Sequence, residues 1–212
     1  MKKFIIILIL STFIMQDQKA QTLSNEKDSI SYAMGMLLME NLKSQGITEI
    51  NPEFATKGIS DALKGTGMLM SPQEASQILS GAIQRNQEKP GKDWLKENAK
   101  KEGVVTLPSG LQYEVITMGE GAKPGLNDQI TAHYEGTLID GTVFDSSYKR
   151  GEPATFPVSG VIAGWTEALQ IMPVGSKWRL YIPHELAYGS RNMQTIPGYS
   201  TLIFDVELLE IK

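Results

Sequence analysis

The apolar residues of this chain change their spacing near residue 103. Before it they recur every three or four positions, as on helices. After it they alternate among β-branched residues, glycines and prolines, as in strands. In residues 28–44, Ile30, Met34, Leu37, Leu38 and Leu42 form one stripe, widened by Met36 and Met39. Asn51-Pro52 reads as an N-cap with proline at the first helical position. Phe54, Ala55, Ile59, Ala62 and Leu63 then form an expected buried face, and Gly65 and Gly67 end the helix. Ser71-Pro72-Gln73-Glu74 is a capping box, in which Ser71 accepts from the Glu74 N–H and Glu74 reaches back. Its stripe is Ala75, Ile78, Leu79, Ala82 and Ile83.

Residues 84–102 are charged, with Trp94 and Leu95 as the only large apolar groups, and read as a connector. Pro90-Gly91 is expected to break any helix there, because proline lacks an N–H and clashes with the preceding turn. A second helical piece, 92–102, is expected to follow. Strands are expected at 106–118, 128–138, 142–146, 154–158, 175–183 and 201–211, with a tight hairpin at Asp140-Gly141. One helix, 160–170, fits between them and stops at Met172-Pro173. Leu202, Phe204, Val206 and Leu208 share one face of the last strand; Trp178, Leu180 and Ile182 share one face of the strand before it. The fold class is α+β: a C-terminal antiparallel sheet wrapped on one short helix, preceded by an all-α N-terminal domain. The expected organisation is a leader at 1–20, a helical domain at 21–83, the connector at 84–102 and the sheet domain at 103–212.

Three short helices bury little surface alone. Two arrangements satisfy their methionine-rich stripes: packing against a second copy, or folding back on themselves or onto the sheet domain.

The first residues add a location. Lys2 and Lys3 precede an apolar run, Phe4 to Met15, which as a helix spans about 18 Å, short of a ~30 Å hydrocarbon core. This is the shape of a secretory signal peptide, with cleavage expected after Ala20; an uncleaved anchor is the alternative. No transmembrane segment is expected in the mature chain. The expected location is therefore export, with the periplasm first and the outer membrane or the exterior as alternatives.

Composition narrows the chemistry. The 212 residues contain no cysteine, which excludes disulfides, thiolate catalysis and lipid attachment at a cysteine. A net charge of −4 leaves no electrostatic footprint for nucleic acid. His133 and His184, the two histidines, lack accompanying ligands at metal spacing, so no metal is expected. There is no phosphate-binding glycine loop and no nucleophile elbow.

What remains is a spread of aromatics: Tyr134, Phe144, Phe156, Trp165, Tyr188 and Phe204. By residue type alone these are core residues. Their neighbours suggest a pocket instead. Trp165 opens a short helix just after Val161 and Ile162. Asp145 follows Phe144 at a strand end, and Tyr188 sits in an Ala-Tyr-Gly turn. An apolar floor with one acid and one phenol suits an uncharged, amide-like ligand.

The pieces SGLQYEVI, HYEGTL, DGTVFDSS, VIAGWTEAL, IPHELAYG and TLIFDVELL, in that order over residues 107–212, resemble the FKBP-type peptidyl-prolyl cis/trans isomerases. The resemblance implies catalysis without cofactor or metal. It puts Trp165 on the pocket floor under a proline ring, with Tyr134, Phe144, Phe156, Val161, Ile162 and Phe204 as walls. It makes Asp145 the polar group beside the twisted amide, Tyr188 a donor to a substrate carbonyl, and Ile196 part of an overhanging loop. Arg150 is expected either to pair with Asp145 or Tyr134 or to stand in solvent. The implied ligands are proline-containing unfolded polypeptides and macrolides such as rapamycin. DSISYAMGMLLMENLKSQG and GISDALKG resemble the dimerisation region of the exported Mip/FkpA-like group, which implies a homodimer. The chain departs from the family at SRNMQTIPGYS, where relatives carry more glycine and a Pro-Pro pair, and at Pro90-Gly91, where relatives often have one long helix.

Overall fold

The computed structural model describes residues 22–212, so the expected signal peptide lies outside the described residues. Contacts divide the chain into two units, Met1–Leu42 and Lys43–Lys212. The first contains most of helix α1 (Glu26–Ser44), which has no buried residue. Ile30, Met34, Leu37 and Leu38, its expected stripe, are all exposed.

The second unit begins with α2 (Pro52–Lys64). Asn51 caps it, accepting from the N–H groups of Glu53 and Phe54, and Gly65 ends it in the left-handed conformation. The expected buried face is open here: Phe54 and Leu63 are exposed. Helix α3 (Pro72–Asn98) starts at the expected capping box, with Ser71 and Glu74 bonded reciprocally. It then runs 27 residues without a break, and Pro90 lies inside it. The expected interruption at Pro90-Gly91 is thus absent. Proline forfeits only its own bond to the carbonyl of Asn86, and its ring lies on the exposed side. On the opposite face Glu88, Gly91, Leu95 and Asn98 are buried at helical spacing, which holds the helix through the lesion.

The rest is a seven-stranded sheet: β1 (Val104–Thr106), β2 (Gln112–Thr117), β3 (Gln129–Leu138), β4 (Val143–Ser146), β5 (Ala154–Pro157), β6 (Lys177–Ile182) and β7 (Leu202–Ile211). The order is β1-β2-β6-β7-β3-β4, with β5 also on β3, and every pairing is antiparallel. The expected single strand 106–118 is two. Leu107-Pro108-Ser109-Gly110 turns between them, with Gly110 at φ +91° and the Leu107 N–H donating to Leu111 O at 2.8 Å. Two short helices lie off the sheet: α4 (Ser147–Arg150) and α5 (Ala163–Leu169).

The core lies between α5 and the concave face of the sheet. Leu202, Phe204, Val206 and Leu208 of β7 are buried, as their alternation predicts, and so are Trp178, Leu180 and Ile182 of β6. Each fully buried leucine here contributes about 1.5–3 kcal/mol. Gly164 on α5 approaches Ile182 so closely that a Cβ would stand 2.5 Å from its Cγ2. That glycine sets the depth at which its neighbour Trp165 sits.

Candidate active site

The sheet leaves a cavity of about 740 Å³ at the end of α5, within the size range of small-ligand sites. Trp165 is buried in its wall, held there by the turns that precede it. Val158–Gly160 forms one turn of tight helix, and the Ile162 carbonyl accepts the first helical bonds, from the Trp165 and Thr166 N–H groups. The rings of Tyr134, Phe156 and Phe204 stand around the indole at centroid distances of 5.4, 5.9 and 5.3 Å, all near edge-on. Phe144 meets Phe204 edge-on at 5.4 Å. In edge-to-face pairs the positive edge of one ring meets the negative face of the other, so the aromatic wall reinforces itself.

Two of those rings need Gly136. A Cβ there would lie 2.6 Å from Phe144 and 2.7 Å from Phe204. Gly136 pairs with both Asp145 on β4 and Phe204 on β7, so it is the point where the two wall-bearing strands meet β3.

One charged cluster sits at the edge of this wall. The Tyr134 hydroxyl donates to Asp145 Oδ2 at 2.6 Å and accepts from Arg150 Nη2 at 2.8 Å. Arg150 Nη1 also pairs with Asp145 Oδ1. Burial alone would push the Asp145 carboxyl up. The bonds from Tyr134 and Arg150, with the guanidinium charge, outweigh it and hold the carboxyl below the usual range. Burial raises the Tyr134 phenol, and its bond to Asp145 raises it further. At neutral pH the cluster is therefore carboxylate, neutral phenol and guanidinium. Of the two arrangements open to Arg150 in the sequence, the structure has the paired one, to both partners.

Every residue expected in the site from the sequence lines this one cavity: Tyr134, Phe144, Asp145, Phe156, Val161, Ile162, Trp165, Tyr188, Ile196 and Phe204. Residues 120–209 match the family model described as FKBP-type peptidyl-prolyl cis-trans isomerase, and residues 27–115 match the domain amino terminal to it. The chain is 50% identical over 192 residues to the FKBP-type 22 kDa peptidyl-prolyl cis-trans isomerase of Escherichia coli, covering 85% of this chain and 93% of that one. The chain belongs to the FKBP-type peptidyl-prolyl cis-trans isomerases.

Other members of the family extend the likeness to both halves. The outer membrane protein MIP of Legionella longbeachae is 44% identical over 209 residues, 91% of this chain and 89% of its own. The crystal structure of FkpA from Escherichia coli aligns with a TM-score of 0.58 at 37% identity, over 90% of this chain and 99% of that one. Membership carries the enzyme class, peptidyl-prolyl cis-trans isomerase, and the FKBP-like fold.

The structure also adds residues that sequence reasoning missed. Arg191, Met193, Gln194 and Thr195 line the cavity beside Ile196. They follow no hydrophobic period, and only their place in the overhanging loop marks them. Ser147 is the other. It is fully buried, its Oγ accepts the Tyr134 N–H at 2.8 Å, and it lies 3.1 Å from Tyr134 O and 3.0 Å from His133 Nδ1. It ties the start of α4, and hence Arg150, to the strand that carries Tyr134. Its only signal in the sequence is the serine pair after Phe144-Asp145. Of the two histidines, His133 stacks on Tyr148 and His184 is buried beneath Tyr199. No metal-ligating group of side chains occurs among the described residues.

Proposed function

We propose that this chain assists the folding of exported proteins by binding the twisted X–Pro amide in the cavity over Trp165. The observation that carries the reading is the cavity's make-up. Aromatic and aliphatic side chains make most of its wall, with Arg191, Gln194 and Thr195 on the loop side, and its one carboxylate is already neutralised by Arg150 and hydrogen-bonded by Tyr134. Such a site suits a neutral, apolar ring joined to an amide.

Rotation about X–Pro must overcome about 18–20 kcal/mol of amide resonance, and it takes tens to hundreds of seconds unaided. Water stabilises the planar, charge-separated amide by hydrogen bonds to its carbonyl. The apolar wall removes that water, which favours the twisted form. The ring of proline sits on Trp165, between Phe156, Val161, Ile162 and Phe204. Asp145 lies beside the twisting bond, and its anchoring on Tyr134 and Arg150 keeps it from turning away. Tyr188, whose hydroxyl has no hydrogen-bond partner among the described residues, donates to a substrate carbonyl. Each ~1.4 kcal/mol by which the site prefers the twisted over the planar amide gives about tenfold in rate. Rapamycin, which presents a similar ring and carbonyls, competes for the same cavity.

Export is supported by the N-terminal pattern and by the name of the Legionella relative. No helix among the described residues is long and apolar enough to cross a membrane. Homodimerisation through the N-terminal helices is supported by the match at residues 27–115 and by the open apolar stripes of α1 and α2. The same stripes favour a second reading, a holdase that shelters unfolded chains between two N-terminal domains. The test is the refolding of an exported protein limited by a proline step. Acceleration abolished by rapamycin supports isomerisation. Suppressed aggregation that rapamycin leaves intact, with no change in the slow phase, supports the holdase alone.

A further inference from the structure

The charged segment 84–102, which the sequence marks as a connector, is built into the sheet domain. Asn98, 1% exposed, donates from Nδ2 to Gln112 Oε1 at 3.0 Å, and Gln112 Nε2 donates to Leu95 O at 2.9 Å. Trp94 packs on Tyr181 with centroids 5.5 Å apart. Asn98 and Gln112 are buried polar groups that hold one another, so the C-terminal end of α3 has one register against β2.

One turn further up, the same face of α3 meets the segment that closes the loop over the cavity. Gly91 touches Thr201: a Cβ at Gly91 would lie 2.5 Å from Thr201 Oγ1, a separation that real Cβ atoms do not show. Glu88, 8% exposed, accepts from Lys92 at 2.6 Å and from Gln84 at 2.7 Å. The bond from Lys92, then that from Gln84, holds its carboxyl below the usual range. Glu88 Oε1 lies 3.7 Å from His184 Nε2. The His184 ring in turn meets Tyr199 edge-on at 5.3 Å.

Tyr199 is the one described non-glycine residue with positive φ, at +61°. That conformation is uncommon for a bulky side chain and persists where surroundings over-determine it. Here they do. The Tyr199 N–H donates to Gly189 O at 2.7 Å, across the base of the loop, while the ring is held by His184. Between those two residues the loop carries Arg191, Met193, Gln194, Thr195 and Ile196 into the cavity wall.

We propose that α3 is part of the frame of the isomerase site. Through Gly91 against Thr201, and Glu88 beside His184, whose ring meets Tyr199, it fixes the 189–199 loop over the bound peptide. None of these five residues lines the cavity, so they are positioning residues, and they act on how the residues flanking proline are held. The inference rests on the cavity being the proline site, as proposed above.

The test uses the full mature chain and two distant substitutions. Gly91→Ala presses on Thr201 from the helix side, and Tyr199→Asn removes the ring while tolerating the left-handed backbone. Each is expected to shift the Ile196 methyl resonance and to raise KM for a bulky X–Pro peptide by roughly threefold or more, with kcat changed less than KM. Gly91→Ala combined with Thr201→Ala, which removes the clashing oxygen, is expected to restore both readings. A purely structural role would lower the melting temperature without moving Ile196 or splitting KM from kcat, and that result overturns the inference. An Ile196 shift in both variants, beside a wild-type chain that turns over no peptide, would support the frame and sink the functional reading instead.

Discussion

Tyr134 Oη lies 2.6 Å from Asp145 Oδ2, and Arg150 binds both. The acid at the edge of the cavity is thereby fixed by a phenol from β3 and a guanidinium from α4. A carboxylate at the end of a strand could take several rotamers. This one takes the single rotamer that satisfies two donors. Removing either donor should loosen the acid without emptying the cavity.

Tyr134→Phe keeps the ring against Trp165 and deletes the hydroxyl. Losing a hydrogen bond of this kind costs about 1 kcal/mol, here discounted because the ion pair is partly exposed. The expected result is a small drop in the urea midpoint and a clear drop in kcat/KM. Unchanged turnover in this variant would show that the placement of Asp145 is irrelevant.

The pH dependence has a definite sign at each end. Asp145 has a lowered folded pKa. Its contribution is therefore present above the unfolded carboxylate value of about 3.9 and is lost as pH falls through the lower folded value. Tyr134 is raised, so its neutral form persists beyond the ordinary phenol value of about 10. The rate profile should be flat from about pH 5 to 9. A bell with a limb near neutrality would point to a titrating group absent from this account.

Alkaline unfolding should be pronounced. Burial first, then the bond to Glu207, raises Tyr148 to about 12; burial first, then the bond to Glu114, raises Tyr181 to about 12. Groups raised in the folded state stabilise below their unfolded pKa, and that stability is lost as pH rises through the folded value. The loss should fall between about pH 10 and 12. Tyr148→Phe with Tyr181→Phe should flatten melting temperature against pH in that window, as read by circular dichroism.

Gly136→Ala tests the aromatic wall from behind. The added methyl group meets Phe144 and Phe204 at 2.6 and 2.7 Å. Overpacking of this kind costs about 1–3 kcal/mol. Because both rings line the cavity, rapamycin affinity should fall along with the melting temperature. A variant with full affinity would show that the two rings can yield without reshaping the site.

The sheet was largely legible because its strands alternate. Leu202, Phe204, Val206 and Leu208 face the core as their spacing requires. The Leu107-Pro108-Ser109-Gly110 turn was not, because apolar residues continue on both sides of it. Helix α3 was misread for a sharper reason. Its buried stripe is Glu88, Gly91, Leu95 and Asn98, with one large apolar residue among four. A hydrophobic period cannot find a face made of a carboxylate, a glycine and an amide, and Pro90 beside it signals a break. The cavity residues lie on four strands, a helix and two loops, so no local pattern joins them. Their order along the chain, matched to a family, brings them together, and Arg191, Met193, Gln194 and Thr195 lie in the segment where the chain departs from that family's pattern.

The central claim is that the Trp165 cavity binds and twists the X–Pro amide. The most direct test is cis-to-trans conversion of a short X–Pro peptide by the purified chain from residue 21, beside Trp165→Leu, each with and without rapamycin. The leucine keeps the core apolar, so circular dichroism should show an intact sheet. Rapid conversion by the wild type, blocked by rapamycin and reduced at least about tenfold in Trp165→Leu, is the predicted result. A folded wild type that does not speed conversion, or a Trp165→Leu chain that converts peptide as fast as the wild type, would contradict it.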